Sequence, residues 1–302
     1  MKNKTTNHYT NAACLQINTF ASISTTLFTC CIAVLSALSS SHANAAAQLM
    51  VSPTRIVFEG SERTDQVNLI NNGTDTGRFR ISFVRRKMLE SGQIEAIEEG
   101  EPGMYSDDMV RFAPRQVTLQ PGQSQTVRLM LRKKGGLEDG EYRSHLMFQS
   151  LPDPAASDIE ELTSSDAKGV TVQLIPVVGI TIPVIVKQGQ LDSTVSLSDF
   201  EIKQSNTVKG ESSLSMKINR TGNESAYGDI RVYFTPKGGA PLQIGQVNGV
   251  AVYTPLDKRS IEIKLDYPKG YSVENGELHV TYLKPGQDEK SGLLTEARLA
   301  IP

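Results

Sequence analysis

Near the middle of the chain, apolar residues recur at every second position over an unusually long run. In VTVQLIPVVGITIPVIV the even positions, apart from Pro176, are Val170, Val172, Leu174, Val178, Ile180, Ile182, Val184 and Val186. A period of two is the pattern of a half-buried β-strand. At about 3.3 Å per residue, a strand of this length reaches about 50 Å, whereas ordinary strands have about 5–6 residues. A long apolar strand at a sheet edge invites pairing with other chains. A protein that keeps one is suited to lending it to a partner.

Shorter alternating segments precede and follow this run. Before it, strands are expected at Gln48–Phe58, Gln66–Asn71, Arg78–Met88, Met109–Phe112, Gln125–Arg132 and Glu141–Gln149, with the long run at Gly169–Lys187 as the seventh. Turn pairs such as Asn72-Gly73, Ser91-Gly92, Pro121-Gly122 and Asp139-Gly140 separate them. Seven strands in this span fit an immunoglobulin-like sandwich. A second series is expected at Thr194–Leu197, Leu214–Ile218, Asp229–Phe234, Leu242–Ile244, Val250–Tyr253, Ser260–Leu265, Glu277–Leu283 and Leu293–Ala300, which reads as another sandwich. No amphipathic helix is apparent outside the leader. The acidic, Ser/Ala-rich stretch 152–168 lacks a period and reads as a mobile loop or a tolerated surface insertion. The expected organisation is all-β: an N-terminal segment 1–45, a first sandwich 46–188 ending on the long strand, and a second sandwich 189–302.

The N-terminal segment reads as an export signal. Lys2 and Lys4 begin it, Cys30 to Leu38 form a short apolar core, and Ser-His-Ala at 41–43 or Ala-Asn-Ala at 43–45 fits a small-x-small cleavage site. The apolar core is too short for a membrane span. The stretch ahead of it is long, so a start downstream of Met1 is also compatible. All three cysteines, Cys14, Cys30 and Cys31, fall in this leader. The mature chain is therefore expected to have no disulfide, no thiol nucleophile and no Cys-based metal site. A periplasmic location follows as the expectation. The net charge of −2 speaks against a nucleic-acid partner.

Enzyme chemistry finds little support. Of the four histidines, His8 and His42 lie in the leader region, and His145 and His279 sit singly in expected strands. Motifs of the H-x-x-x-H, G-x-S-x-G, P-loop and G-x-G-x-x-G kinds are absent from the sequence. The acidic residues between Glu95 and Asp108 lack calcium-loop spacing and read as a solvated loop. The expectation is a protein that is not an enzyme and uses no cofactor and no metal. Two arginines carry more interest. Arg55 lies in the first expected strand and Arg143 in the sixth. In an immunoglobulin-like sheet the last strand pairs with the sixth on one side and with part of the first on the other, so both would flank the long strand. Two guanidinium groups there suit a carboxylate clamp, though each is also readable as a plain surface arginine.

Taken in order, these residues resemble the PapD-like periplasmic chaperones of chaperone–usher pilus assembly. The resemblance spans about Gln48 to Ile301. It rests on Ser-Pro-Thr-Arg-Ile-Val-Phe at 52–58, Val-Asn-Leu-Ile-Asn-Asn at 67–72, Phe-Ala-Pro-Arg-Gln-Val-Thr-Leu-Gln-Pro-Gly-Gln at 112–123 and Gly-Glu-Tyr-Arg at 140–143, followed by the alternating strand. The Gly-Glu-Tyr-Arg context looks like the archaic branch. The resemblance implies two immunoglobulin-like domains in a boomerang arrangement. It also implies capture of pilus subunits by donor-strand complementation and delivery to an outer-membrane usher. The carboxylate that ends a pilus subunit would be anchored by Arg55 and a second cation. The family's second cation is typically a lysine on the long strand. None occurs between Gly179 and Val184, so Arg143 is the expected substitute. Pro176, Gly179 and Pro183 are expected to interrupt the strand, leaving Val170, Val172, Leu174 and Val178 as the donated positions. Two other readings compete: an exported structural or adhesive pilus component, which would usually carry its own N-terminal donor segment, and a carbohydrate-binding β-sandwich module, for which exposed aromatics would be expected although tryptophan is absent.

Overall fold

The structure, a computed structural model, describes residues 48–98, 100–152, 177–204, 212–268 and 273–302. In the first half the strands are β1 (Leu49–Ser52), β2 (Ile56–Phe58), β3 (Thr64–Asn71), β4 (Gly77–Val84), β5 (Arg86–Met88), β6 (Ile94–Ala96), β7 (Val110–Ala113), β8 (Gln116–Leu119), β9 (Ser124–Leu131), β10 (Gly140–Leu151) and β11 (Gly179–Gln188). They form two facing sheets, β1-β3-β9-β7 and β2-β11-β10-β4-β8, with β5 and β6 as a separate hairpin. The period of two drives this arrangement, because successive side chains point to opposite faces. Ile182, Val184 and Val186 of β11 join Ile56, Phe58, Leu146 and Phe148 in a core closed from the other sheet by Val67, Leu69, Val127 and Leu129. Each such fully buried side chain contributes about 1.5–3 kcal/mol.

The second half contains β12 (Ser193–Gln204), β13 (Ser212–Gly222), β14 (Ala226–Pro236), β15 (Leu242–Val252), β16 (Lys258–Leu265), β17 (Gly276–Leu283) and β18 (Leu293–Ile301). Its sheets are β12-β13-β16 and β15-β14-β17-β18. Leu214, Met216, Ile218, Ile230, Val232, Phe234, Val280 and Tyr282 lie in its core. The protein is thus all-β, with two immunoglobulin-like sandwiches, each with its own core.

Several expected strands change on folding. Gln48–Phe58 is two strands: β1 pairs with β3 in one sheet, and β2 pairs with β11 in the other. Pro53, which has no amide donor, lies in the crossover between sheets. Arg78–Met88 divides at Val84, and Arg86–Met88 turns away to pair with Ile94–Ala96. Leu242–Ile244 and Val250–Val252 belong to one irregular strand, β15, whose register against β14 shifts twice, and Tyr253 lies just past its end. The strand Gln116–Leu119 completes an edge that the pattern did not mark. The leader, the stretch 153–168 and the donor positions Val170, Val172 and Leu174 lie outside the described residues.

Pro183 does not interrupt the long strand, whereas Gly179 is the first residue of β11 and Pro176 lies outside the described residues. β11 runs continuously against β10 from Gly179 to Gln188, with Pro183 opposite His145. Proline is tolerated there because its ring nitrogen points away from β10, to a side where β2 has not yet begun.

Candidate functional site at the free edge of β11

Strand β11 has β10 along its whole length on one side. On the other it has only β2, which pairs in parallel from Val184↔Ile56 to Val186↔Phe58. Among the described residues, Gly179 to Pro183 therefore form an open edge. The polarity of that edge follows from the ladder. Ser150 N–H donates to the Val178 carbonyl (2.9 Å), and Val178 N–H donates to Ser150 Oγ (3.0 Å). In an antiparallel pair the groups facing the partner alternate. Even residues of β11 thus bond to β10, while Gly179, Thr181 and Pro183 face outward. Gly179 and Thr181 present N–H and C=O groups, whereas the Pro183 C=O lies at the start of the pairing with β2 that opens at Val184↔Ile56. Val178 itself is 66 % exposed, at the start of this edge. The parity that buries Ile182, Val184 and Val186 is also the parity of Val170, Val172 and Leu174.

Arg55 stands where the open edge stops, one residue before β2 begins. Its Nη1 donates to the Tyr253 hydroxyl (3.1 Å), and its guanidinium lies 4.3 Å from the Tyr227 ring centre and 5.4 Å from that of Tyr253. Arg143, on β10 opposite Ile185, stacks over the same Tyr253 ring at 4.1 Å. The two arginines therefore flank β11 from β2 and β10 and converge on one tyrosine of the second sandwich. Cation–π contact holds each guanidinium without using up its N–H donors. Arg143 is only 7 % exposed, and its Nε and Nη1 have no hydrogen-bond partner among the described residues. Burial pushes its guanidinium below the ordinary arginine value, while nearby Glu141 opposes that shift.

The second sandwich is held against this face by polar and apolar contacts. Met88, Ile185, Ala251 and Tyr253 pack together. The buried Glu141 carboxylate accepts from Ser225 N–H (3.1 Å) and Ser225 Oγ–H (2.5 Å). Lys187, the lysine of β11, is occupied by Glu224 at 2.6 Å and Glu59 at 3.3 Å. It is thus committed to structural ion pairs. Removing the latch with Glu141→Ala leaves a buried Ser225 donor unpaired, which costs about 1–3 kcal/mol. Urea unfolding should show that loss.

His145 lies beside these cations. Burial, with Arg143 and Arg86 adding, pushes its imidazole down to about 3. Between that value and the ordinary histidine range near 6.5, only the unfolded chain binds the proton, so stability falls as pH falls. The slope from this group is about 1.4 kcal/mol per pH unit. Urea midpoints measured between pH 6.5 and 4 should drop accordingly, and His145→Gln should flatten the curve. An unchanged slope in the variant would place the effect elsewhere.

Sequence reasoning missed Tyr253 and Tyr227, the rings on which the arginines rest, and the role of Lys187. Tyr253 is 198 residues from Arg55, and no local pattern links them.

No family model matches the chain, and no curated protein matches it. Solved structures with some likeness include the SafA pilin–SafB chaperone complex of Salmonella enterica (11 % identity, 86 % of this chain and 99 % of that one, TM-score 0.41). The CsuC–CsuE chaperone–tip adhesion pre-assembly complex from archaic Csu pili of Acinetobacter baumannii is similar at 12 % identity over 71 % of this chain and 90 % of that one, with TM-score 0.37. The CupB2 chaperone of Pseudomonas aeruginosa stands at 12 % identity, 83 % and 100 % coverage, and TM-score 0.38. Likeness at this level decides neither fold nor function, which rest on the chain's own strands and side chains.

Proposed function

We propose that the protein is a periplasmic chaperone that captures incomplete pilus subunits by strand addition and passes them to an outer-membrane usher. The observation that carries this reading is the open edge of β11 ending at Arg55. A strand added along this edge meets the outward N–H and C=O groups of Gly179 and Thr181 and can go no further than β2. Its terminal carboxylate then lies at Arg55, with Arg143 across Tyr253 as the second cation. The ordered sequence elements that resemble the PapD-like chaperones support the same reading. Val170, Val172 and Leu174, continuing the parity of the buried β11 positions, are the side chains offered to the groove of the captured protein, with Val178 at the junction. Each apolar side chain buried there contributes about 1.5–3 kcal/mol.

The reading is tested by expressing the chain with the exported small proteins encoded beside its gene and purifying it from periplasm. A one-to-one complex with an otherwise unstable pilus subunit is the expected outcome. Val172→Asp with Leu174→Asp should abolish that complex while the chain stays folded, because a buried unpaired charge is costly. An undiminished complex in the double variant would contradict the proposal.

A further inference from the structure

A cavity of about 690 Å³ lies between the first sandwich, at Arg86–Met88, 101–105 and Arg143, and the 253–257 segment. That volume falls in the range of small-ligand pockets. Its apolar walls are Met88, Ile97, Met104, Tyr105, Pro255 and Leu256, and Arg143, Arg86 and Tyr253 line it too. Arg86 opens the β5–β6 hairpin two residues beyond Val84, and it lines the same cavity as Arg143. Its Nε, like Arg143 Nε and Nη1, is buried without a hydrogen-bond partner among the described residues. The acids on the wall are otherwise engaged or wet: Glu141 binds Ser225, Glu101 pairs with Lys87 at 3.4 Å, and Asp257 is exposed. The cavity thus combines apolar walls with two guanidinium groups, of which Arg86 Nε and Arg143 Nε and Nη1 lack a hydrogen-bond partner among the described residues. It suits a group that is apolar in body and anionic at one end.

We infer that this cavity receives the terminal residue of the captured chain, and that this residue has a large apolar side chain. The inference rests on the proposed capture of a chain terminus at Arg55 and Arg143. Arg143 and Tyr253 belong both to that anchor and to the cavity wall, so a carboxylate bound at Arg143 has its own side chain at the cavity. Arg86 then serves as a further carboxylate-binding residue. A terminal Leu, Met or Phe fills apolar space, whereas Gly leaves it empty and Asp places a bare carboxylate against Met88 and Leu256.

The test uses short fluorescein-labelled peptides of alternating valine and threonine that end in Phe, Leu, Gly or Asp. Each is made as free acid and as amide, and binding to the purified chain is followed by anisotropy. The Phe and Leu acids should bind about tenfold to a hundredfold more tightly than the Gly acid, the factor expected for burying one large apolar side chain. Ile97→Ala, which trims the apolar wall without adding charge, should weaken the Phe acid more than the Gly acid. Arg86→Gln should weaken every acid and spare the amides. If acids and amides bind alike, or neither binds, the terminal anchor fails and this inference with it. If acids outbind amides but Phe and Gly acids bind equally, the anchor stands and the cavity assignment is overturned.

Discussion

Replacing Arg55 by alanine is expected to abolish the capture of pilus subunits. Truncating one partner of a desolvated, hydrogen-bonded charge pair costs about 2–5 kcal/mol or more, a factor of roughly thirty to several thousand in affinity. Arg55→Lys should be intermediate, since it keeps the charge and loses the planar fork. Arg55 also binds the Tyr253 hydroxyl and lies over Tyr227, so some of the loss could come from a loosened junction between the sandwiches. Two controls separate these effects. Tyr253→Phe removes the hydroxyl but keeps the ring under both guanidiniums, and it should bind subunits nearly as well as the parent. Amidating the terminal carboxylate of the captured protein should weaken binding to the parent strongly and add little to the Arg55→Ala loss. Equal extra weakening in both proteins would mean that Arg55 acts only by bracing the two sandwiches. Arg143→Ala should follow the same pattern if Arg143 shares the carboxylate.

The second large effect concerns the backbone of the edge. Thr181→Pro should leave the chain folded and lower its affinity for subunits by about tenfold or more. The Thr181 N–H faces away from β10, so proline there removes no bond of the existing ladder, as Pro183 two residues on already demonstrates. For an added strand the change removes a donor and sets a ring against its backbone. Ile182→Pro is the informative contrast. Its N–H bonds to β10, and its side chain is in the core, so that variant should be grossly destabilised. Thermal unfolding separates the two variants, and titration with a purified pilus subunit then measures the edge effect in the stable one. If Thr181→Pro bound subunits normally, strand addition along this edge would be excluded.

Much of this architecture was legible in the sequence because period-two burial depends only on which face a residue takes. The even positions Ile182, Val184 and Val186 identified the core face of β11 directly, and the two series of alternating segments identified two sandwiches. The same signal is blind to which sheet a strand joins. Gln48–Phe58 read as one strand, yet it divides between sheets at Ser52-Pro53, and the buried parity changes there from odd, at Val51, to even, at Ile56 and Phe58. The effect of a proline depends on the neighbour its nitrogen faces. Pro183 therefore reads as a break in the sequence, although β2 begins one residue later and leaves its nitrogen unopposed. At the site, Arg55 and Arg143 were legible as strand residues flanking β11. Tyr253 and Tyr227 come from the other sandwich and were not. Lys187 lies on the strand where the resemblance calls for a lysine, but beyond the stretch expected to carry it, and Glu59 and Glu224 hold it in structural pairs. Arg86 was hidden because Arg78–Met88 read as one strand, whereas the chain turns into a hairpin after Val84.

In the proposed capture, the outward amides of Gly179 and Thr181 become a hydrogen-bonded ladder with a strand of the pilus subunit. Amide hydrogen exchange, read residue by residue by NMR in the free chain and in its purified complex with that partner, tests this directly. Gly179 and Thr181 should exchange fast in the free chain, Ile180 and Ile182 should already be protected, and capture should slow Gly179 and Thr181 by orders of magnitude. Unchanged fast exchange at those two amides in a saturated complex would contradict the proposed capture.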